Sequence, residues 1–226
     1  GYVVRPGIDA YKLAQYNTTN ASNYFKANTQ AQQVADAGRL SIAATNNLAL
    51  NGVLKALPGQ GGVGAEVDIA APKLLVVGAG DEYLMVPENT IPLVVGDNMP
   101  IGVSEIENGN NYITVHENTI LIDKYTIAIE ETALANFDAA SLLLGGTRSN
   151  GALNVVSSDV RMNENADIVG PEVLLAATDN VYLDSGANLK GTGAGATSKD
   201  LTIGAVADAN GNGAVDGDGA LVRVSG

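Results

Sequence analysis

The sequence predicts an all-β chain, a parallel β-helix (solenoid) carrying a polar N-terminal arm and an irregular β excursion. Three observations lead there. Short β-prone runs alternate with Gly, Asn and Asp, bulky aromatics are scarce, and one ten-residue stretch is echoed far along the chain. The chain has 226 residues, 27 of them Gly, with 4% aromatics and neither Trp nor Cys. An interior made from these residues is Val, Ile, Leu and Ala, with glycine supplying tight corners.

Residues 1–38 form the polar arm, rich in Asn, Thr, Gln and Ala, with Tyr11, Tyr16, Tyr24 and Phe25 as its bulky groups. Asp9 and Ser22 are placed to cap short helices over residues 9–16 and 22–35. Residues 39–80 change character: Leu40-Ser41-Ile42-Ala43-Ala44, Leu48-Ala49-Leu50, Val67-Asp68-Ile69 and Lys73-Leu74-Leu75-Val76-Val77 each fit one flat face of a coil.

The echo begins here. Ile42-Ala43-Ala44-Thr45-Asn46-Asn47-Leu48-Ala49-Leu50-Asn51 returns as Leu175-Ala176-Ala177-Thr178-Asp179-Asn180-Val181-Tyr182-Leu183-Asp184. One coil cannot bury its inward aliphatics alone, whereas coils stacked at about 4.8 Å build a continuous core. Asn46, Asn47, Asp179 and Asn180 are then expected at corners, where their side chains bond local backbone.

Residues 81–140 read as an excursion. Pro87, Pro92 and Pro100 interrupt its apolar runs, and proline cannot donate to a central ladder, so these strands are expected at edges. Strands are expected at Ile91–Val95, Tyr112–Val115, Thr119–Ile122 and Tyr125–Ile129, with a short helix from Glu130 to Phe137 that is acidic at its start. Coil text resumes over residues 141–226, in Leu142-Leu143-Leu144, Leu153–Val156, Pro171–Leu175, Asp200–Ile203 and Ala220–Val224. That last run carries no polar cap, which leads to the expectation that more coils follow it or another subunit covers it. Gly1 in place of Met, with no leader pattern, points to a processed chain or a stretch of a longer one.

Charge and motifs restrict the chemistry. Twenty-five acidic residues against 12 basic give a formal charge of −13, which repels phosphate backbones, so nucleic acid is not an expected partner. No apolar run approaches the ~18 residues of a membrane span. Zero cysteine removes thiolate nucleophiles and thiolate zinc sites. His116 is the single histidine, in Val115-His116-Glu117-Asn118, and no Gly-x-Ser-x-Gly elbow accompanies it.

The candidate metal site is the stretch from Asp208 to Gly219. Asp208, Asn210 and Asn212 occupy positions one, three and five of a calcium loop and Gly213 position six, with Asp216 and Asp218 following. Gly219 stands where a bidentate carboxylate is wanted, and the alternative is a solvated loop between coils. Asp159, Glu164, Asp167 and Glu172 could converge on one face for acid and base work on a polysaccharide, the alternative being a solvated outer face. Gly59-Gln60-Gly61-Gly62-Val63-Gly64 and Gly191-Thr192-Gly193-Ala194-Gly195 lack the Lys-Ser/Thr pair of a phosphate loop and read as turns.

Several stretches carry a family resemblance: Ser141-Leu142-Leu143-Leu144-Gly145-Gly146-Thr147-Arg148-Ser149, Pro171-Glu172-Val173-Leu174-Leu175-Ala176-Ala177, Asp208-Ala209-Asn210-Gly211-Asn212-Gly213 and Gly217–Ser225. Together they resemble the large filamentous haemagglutinin-like exoproteins of Gram-negative bacteria, which use two-partner secretion. Gly1–Gly7 and the span from Leu40 to Val77 are similar to a preceding stretch of such proteins, and residues 81–140 match poorly. The resemblance implies a right-handed parallel β-helix, secretion through an outer-membrane transporter, and a cell-surface or extracellular destination.

The resulting expectation is a structural or adhesive module of a bacterial surface fibre rather than an enzyme. Its expected partners are further copies of itself, head to tail as a filament, and glycans or proteins of host or bacterial cell surfaces. The alternative is a β-helical protein that binds or cleaves polysaccharide. Calcium is the only cofactor the motifs suggest.

Overall fold

The computed structural model describes residues 36–149, 152–192, 202–203 and 220–225. The two expected arm helices, the 208–219 loop and most of the second glycine run lie outside these residues.

The described chain is all-β, with one short helix. A first sheet has the order β1-β2-β10-β15-β19, from β1 (Arg39–Ala43), β2 (Ala65–Ala70), β10 (Ala139–Leu144), β15 (Glu172–Ala177) and β19 (Ala220–Ser225). A second has the order β16-β13-β3-β9, from β3 (Lys73–Val77), β9 (Thr126–Glu130), β13 (Asp159–Met162) and β16 (Asn180–Leu183). A third wall pairs β14 (Asp167–Gly170) with β17 (Asn188–Gly191), and Leu54 bridges Phe137 in parallel.

Successive passes of the chain run through these sheets in parallel and in register. Ile42, Ile69, Leu144 and Leu175 are register partners in succession, and so are Ala128, Leu75, Arg161 and Tyr182. Asp159 to Asn180 and Asp167 to Asn188 both span 21 residues. Over the same two passes the first sheet spans 31 residues, from Ser141 to Glu172. The ten by which 31 exceeds 21 are the hairpin of β11 (Gly146–Ser149) and β12 (Ala152–Val155).

Inward side chains of all three walls meet in one core, including Val67, Ile69, Leu74, Val76, Leu142, Leu144, Met162, Ile168, Val173 and Leu175. The wholly apolar runs have a second reason. Leu143 and Leu174 point to the other face of the first sheet, where Leu153 of the hairpin covers them. A strand buried on both faces reads as a continuous apolar run, which is why alternation vanishes in β10 and β15. Gly145 makes the corner at φ +100, donating its N–H to Ile69 O at 2.8 Å.

Three sequence expectations need correction. Leu48-Ala49-Leu50 forms no strand; β9 takes the place beside β3, while Leu48 and Leu50 still pack on the core. The run Ala220–Val224 does not continue the parallel stacking, because β19 lies antiparallel on β15. That edge of β15 is therefore covered by the chain itself. Within residues 81–140, β9 belongs to the second sheet rather than to a separate excursion.

What remains outside the walls is β18 (Thr202–Ile203), parallel to β12, together with β4 (Tyr83–Met85), β5 (Thr90–Val94), β6 (Ser104–Glu107), β7 (Asn110–Val115) and β8 (Ile120–Ile122). Here β4 pairs β8, and β5-β7-β6 make a small sheet in which Pro92 sits on an edge strand. The helix α1 (Glu131–Ala135) follows β9 with Glu131 in its first turn, as the sequence suggests. Its carboxylate accepts the Asp167 N–H, which ties α1 to the third wall.

Candidate functional site

Three places concentrate chemistry, and the most buried is on the outer face of the first sheet. Register puts Arg39, Glu66, Ser141 and Glu172 in one row across β1, β2, β10 and β15. Asp68 lies two residues along β2, on the same face. The β11–β12 hairpin closes over it, and Asp68, Ser141, Arg148 and Glu172 are all buried.

Arg148 donates its backbone N–H to Asp68 Oδ2 at 2.8 Å. Its Nη1 stands 3.4 Å from Asp68 Oδ1, near enough for charge attraction but without hydrogen-bond geometry, and Oδ1, Nε and Nη2 make no hydrogen bond. Burial pushes the Asp68 carboxyl above its ordinary range and outweighs the pull of Arg148, and burial likewise lowers the Arg148 guanidinium. Both charges are held at a cost, compensated mainly by each other.

Beside them, Ser141 Oγ donates to Glu172 Oε2, while Arg223 of β19 donates from Nε to Glu172 Oε1 at 2.8 Å and also from Nη2. At the sheet's other end, Arg39 Nε donates to Glu66 Oε2 at 2.8 Å and its Nη1 to Arg148 O at 2.8 Å. Ser141 is buried and meets a carboxylate and no imidazole, and the row fastens strands and a hairpin. Sequence reasoning did not single out this cluster. Its one signal was Asp68 set between Val67 and Ile69 and Glu172 at the head of an apolar run.

A second place is a groove of about 450 Å³ between β8 and the outer face of the second sheet. Lys73, Asp123, Asp159, Arg161 and Tyr182 line it. Lys73 pairs Asp123 at 3.1 Å, and Arg161 pairs Asp184 at 2.8 Å with its guanidinium 6.0 Å from the Tyr182 ring centre. Asn180 Nδ2 donates to Asp159 Oδ1 at 3.1 Å.

The third is the excursion. His116 Nδ1 lies 2.7 Å from Glu82 Oε2 and Nε2 lies 2.8 Å from Met99 O, so both ring nitrogens face acceptors. The Met99 carbonyl first, and then Glu82, hold its pKa above the ordinary imidazole value. Protonated on both nitrogens, the ring ties three loops together, and no serine takes part. Above these loops Ile91, Leu93, Val94, Met99, Val103 and Ile106 are exposed, Val94 at 62% and Ile106 at 79%.

The four carboxylates weighed for convergence on one face do not converge. Asp159 is in the second sheet, Asp167 in the third wall and Glu172 buried in the first sheet, while Glu164 is in the turn between β13 and β14. One pass of the chain visits all the walls, so closeness in sequence scatters these groups around the core. Asp208, Asn210, Asn212, Asp216 and Asp218 lie outside the described residues, and among the described residues no three His, Cys, Asp or Glu are gathered as metal ligands. In the first glycine run Gly61 has φ +82 in a turn.

The fold and these places define an all-β protein of mostly parallel sheets, with buried charge used for fastening and apolar surface carried outside the body. The chain matches no family model, no curated protein and no solved structure.

Proposed function

We propose that this chain is a segment of a right-handed parallel β-helix that serves as a structural and adhesive module of a secreted, cell-surface fibre of a bacterium, without catalytic activity. The observation that carries this reading is the column of Ile42, Ile69, Leu144 and Leu175 across four parallel strands. In the step where Asn180 stacks on Asp159 and Asn188 on Asp167, two walls repeat at the same 21-residue spacing, which supports the solenoid reading. The family resemblance adds the extracellular setting and export through an outer-membrane transporter.

The adhesive part rests on the excursion. A rigid stacked body carries a small sheet that contributes nothing to the main core, with Ile91 and Leu93 exposed on one of its faces and Val94 and Ile106 on the other. Apolar side chains held out from the core in this way are available for contact with a partner. Displayed on a non-adherent bacterium, the chain is expected to raise attachment to cultured cells or matrix-coated plates, and Val94→Glu with Ile106→Glu to abolish the gain. Equal attachment with and without the chain would overturn the adhesive role.

The groove beside β8 favours one variant of the alternative, a polysaccharide-binding surface. Tyr182 is half exposed there beside carboxylates and an amide, the residue types that stack on and hydrogen-bond to sugars. The separation of the four carboxylates weighs against cleavage. A glycan array probed with the chain and with Tyr182→Ala is the test: binding by both or by neither would dismiss the groove.

A further inference from the structure

We propose that β19 is an autoinhibitory strand occupying the edge on which a second copy of this chain docks, with Arg223 standing in for the second copy's Arg39. The inference rests on the stacked-body reading above and adds how its ends are controlled.

The two ends of the first sheet are complementary. At one end β1 presents Arg39, Leu40, Ser41, Ile42 and Ala43, and among the described residues it pairs on one side only, with β2. At the other end β15 presents Glu172, Val173, Leu174, Leu175 and Ala176. Moving a copy along the stacking direction lays its β1 on β15 in parallel, as β1 lies on β2 within one chain. The inward rows then continue, Leu40 onto Val173 and Ile42 onto Leu175, and Arg39, which holds Glu66 of its own chain through Nε and Nη2, comes opposite Glu172 with one N–H on each Nη left to give. The second sheet agrees: β9 and β16 are its edges, beside the same ends. Such an interface joins unlike surfaces, so it does not close and gives an open filament.

In this structure β19 fills that place by running the opposite way. Its partners are Glu172 with Ser225, Val173 with Val224, Leu175 with Val222 and Ala176 with Leu221. Val222 and Val224 pack on the core where Leu40 and Ile42 of a docked copy would sit. Arg223 sends Nε and Nη2 to one oxygen of Glu172, the same two-nitrogen grip that Arg39 has on one oxygen of Glu66. Every other pairing in this sheet is parallel, so the reversed strand covers the edge without offering the next copy the same surface.

Removing residues 220–226 is the test. By analytical ultracentrifugation the intact chain is expected near 23.0 kDa, and the shortened chain at multiples of its own, slightly smaller mass that grow with concentration. A peptide of residues 36–45 in excess should stop the growth, and the same peptide with Arg39→Glu should not. If the shortened chain fails to fold, Arg223→Glu in the full chain, which sets a like charge beside Glu172, takes its place in the same assay. A folded, monomeric variant, or oligomers indifferent to the peptide, would overturn the proposal. Attachment by the intact displayed chain is a separate result, so an adhesive module with no self-docking edge is told apart from one with neither property.

Discussion

Arg148 reaches across 80 residues of sequence to give its backbone N–H to Asp68 at 2.8 Å, and its guanidinium lies over the same carboxylate. The side chains are 2% and 0% exposed, so neither charge has water to fall back on. Asp68→Leu or Arg148→Met alone is expected to cost about 3–5 kcal/mol, since each leaves a buried charge without the opposite charge beside it. Replacing both, with Asp68→Leu and Arg148→Met, should recover most of that loss. Urea unfolding of the four chains checks it, and additive single losses would contradict the pairing.

The corner at Gly145 is a second test. A Cβ there would stand 1.9 Å from Ala176 O, and φ is +100. The backbone conformation alone costs a side chain about 1–3 kcal/mol, and overlap with a neighbouring main chain adds to it. Gly145→Ala is expected to lose at least about 3 kcal/mol, against about 0.5 kcal/mol or less for Gly52→Ala, which meets nothing within 4 Å. Thermal melts of both variants decide the matter.

His116 makes the excursion pH-sensitive. Its folded pKa is raised, so its contribution to holding the 82, 99 and 116 loops is complete below the ordinary imidazole value of about 6.5 and fades as pH rises through the folded value. Being the only histidine, it gives one unambiguous ring-proton signal. An NMR titration should place the midpoint above the ordinary value, and Glu82→Gln should lower it. A midpoint at the free-imidazole value would remove the proposed tie.

The β11–β12 hairpin is an insertion into a pass that is otherwise 21 residues long. Replacing residues 146–155 by a short turn should leave the parallel sheets intact by circular dichroism. It should also uncover Leu143 and Leu174 and return Asp68 to solvent. Binding of a hydrophobic dye and self-association are the expected readouts. Loss of the sheets instead would show that the hairpin is part of the fold's foundation.

Sequence alone determined the strand text and one true register. The echo pairs Ile42 with Leu175, and these residues share a column, because inward positions of stacked strands meet the same apolar surroundings and so keep the same residue types. It also indicated α1 and the edge position of Pro92, both local consequences of charge placement and a missing N–H. Tertiary structure decided what local text does not encode. The polarity of β19 depends on which edge is open, since Ala220–Val224 alternates equally well in either direction. The place of Leu48–Leu50 was taken by β9, a competitor from another part of the chain. The buried row of Asp68, Ser141, Arg148 and Glu172 assembles only when four strands and a hairpin, far apart in sequence, close on one another. A charge inside an apolar run carries no label of its partner; only the folded chain supplies it.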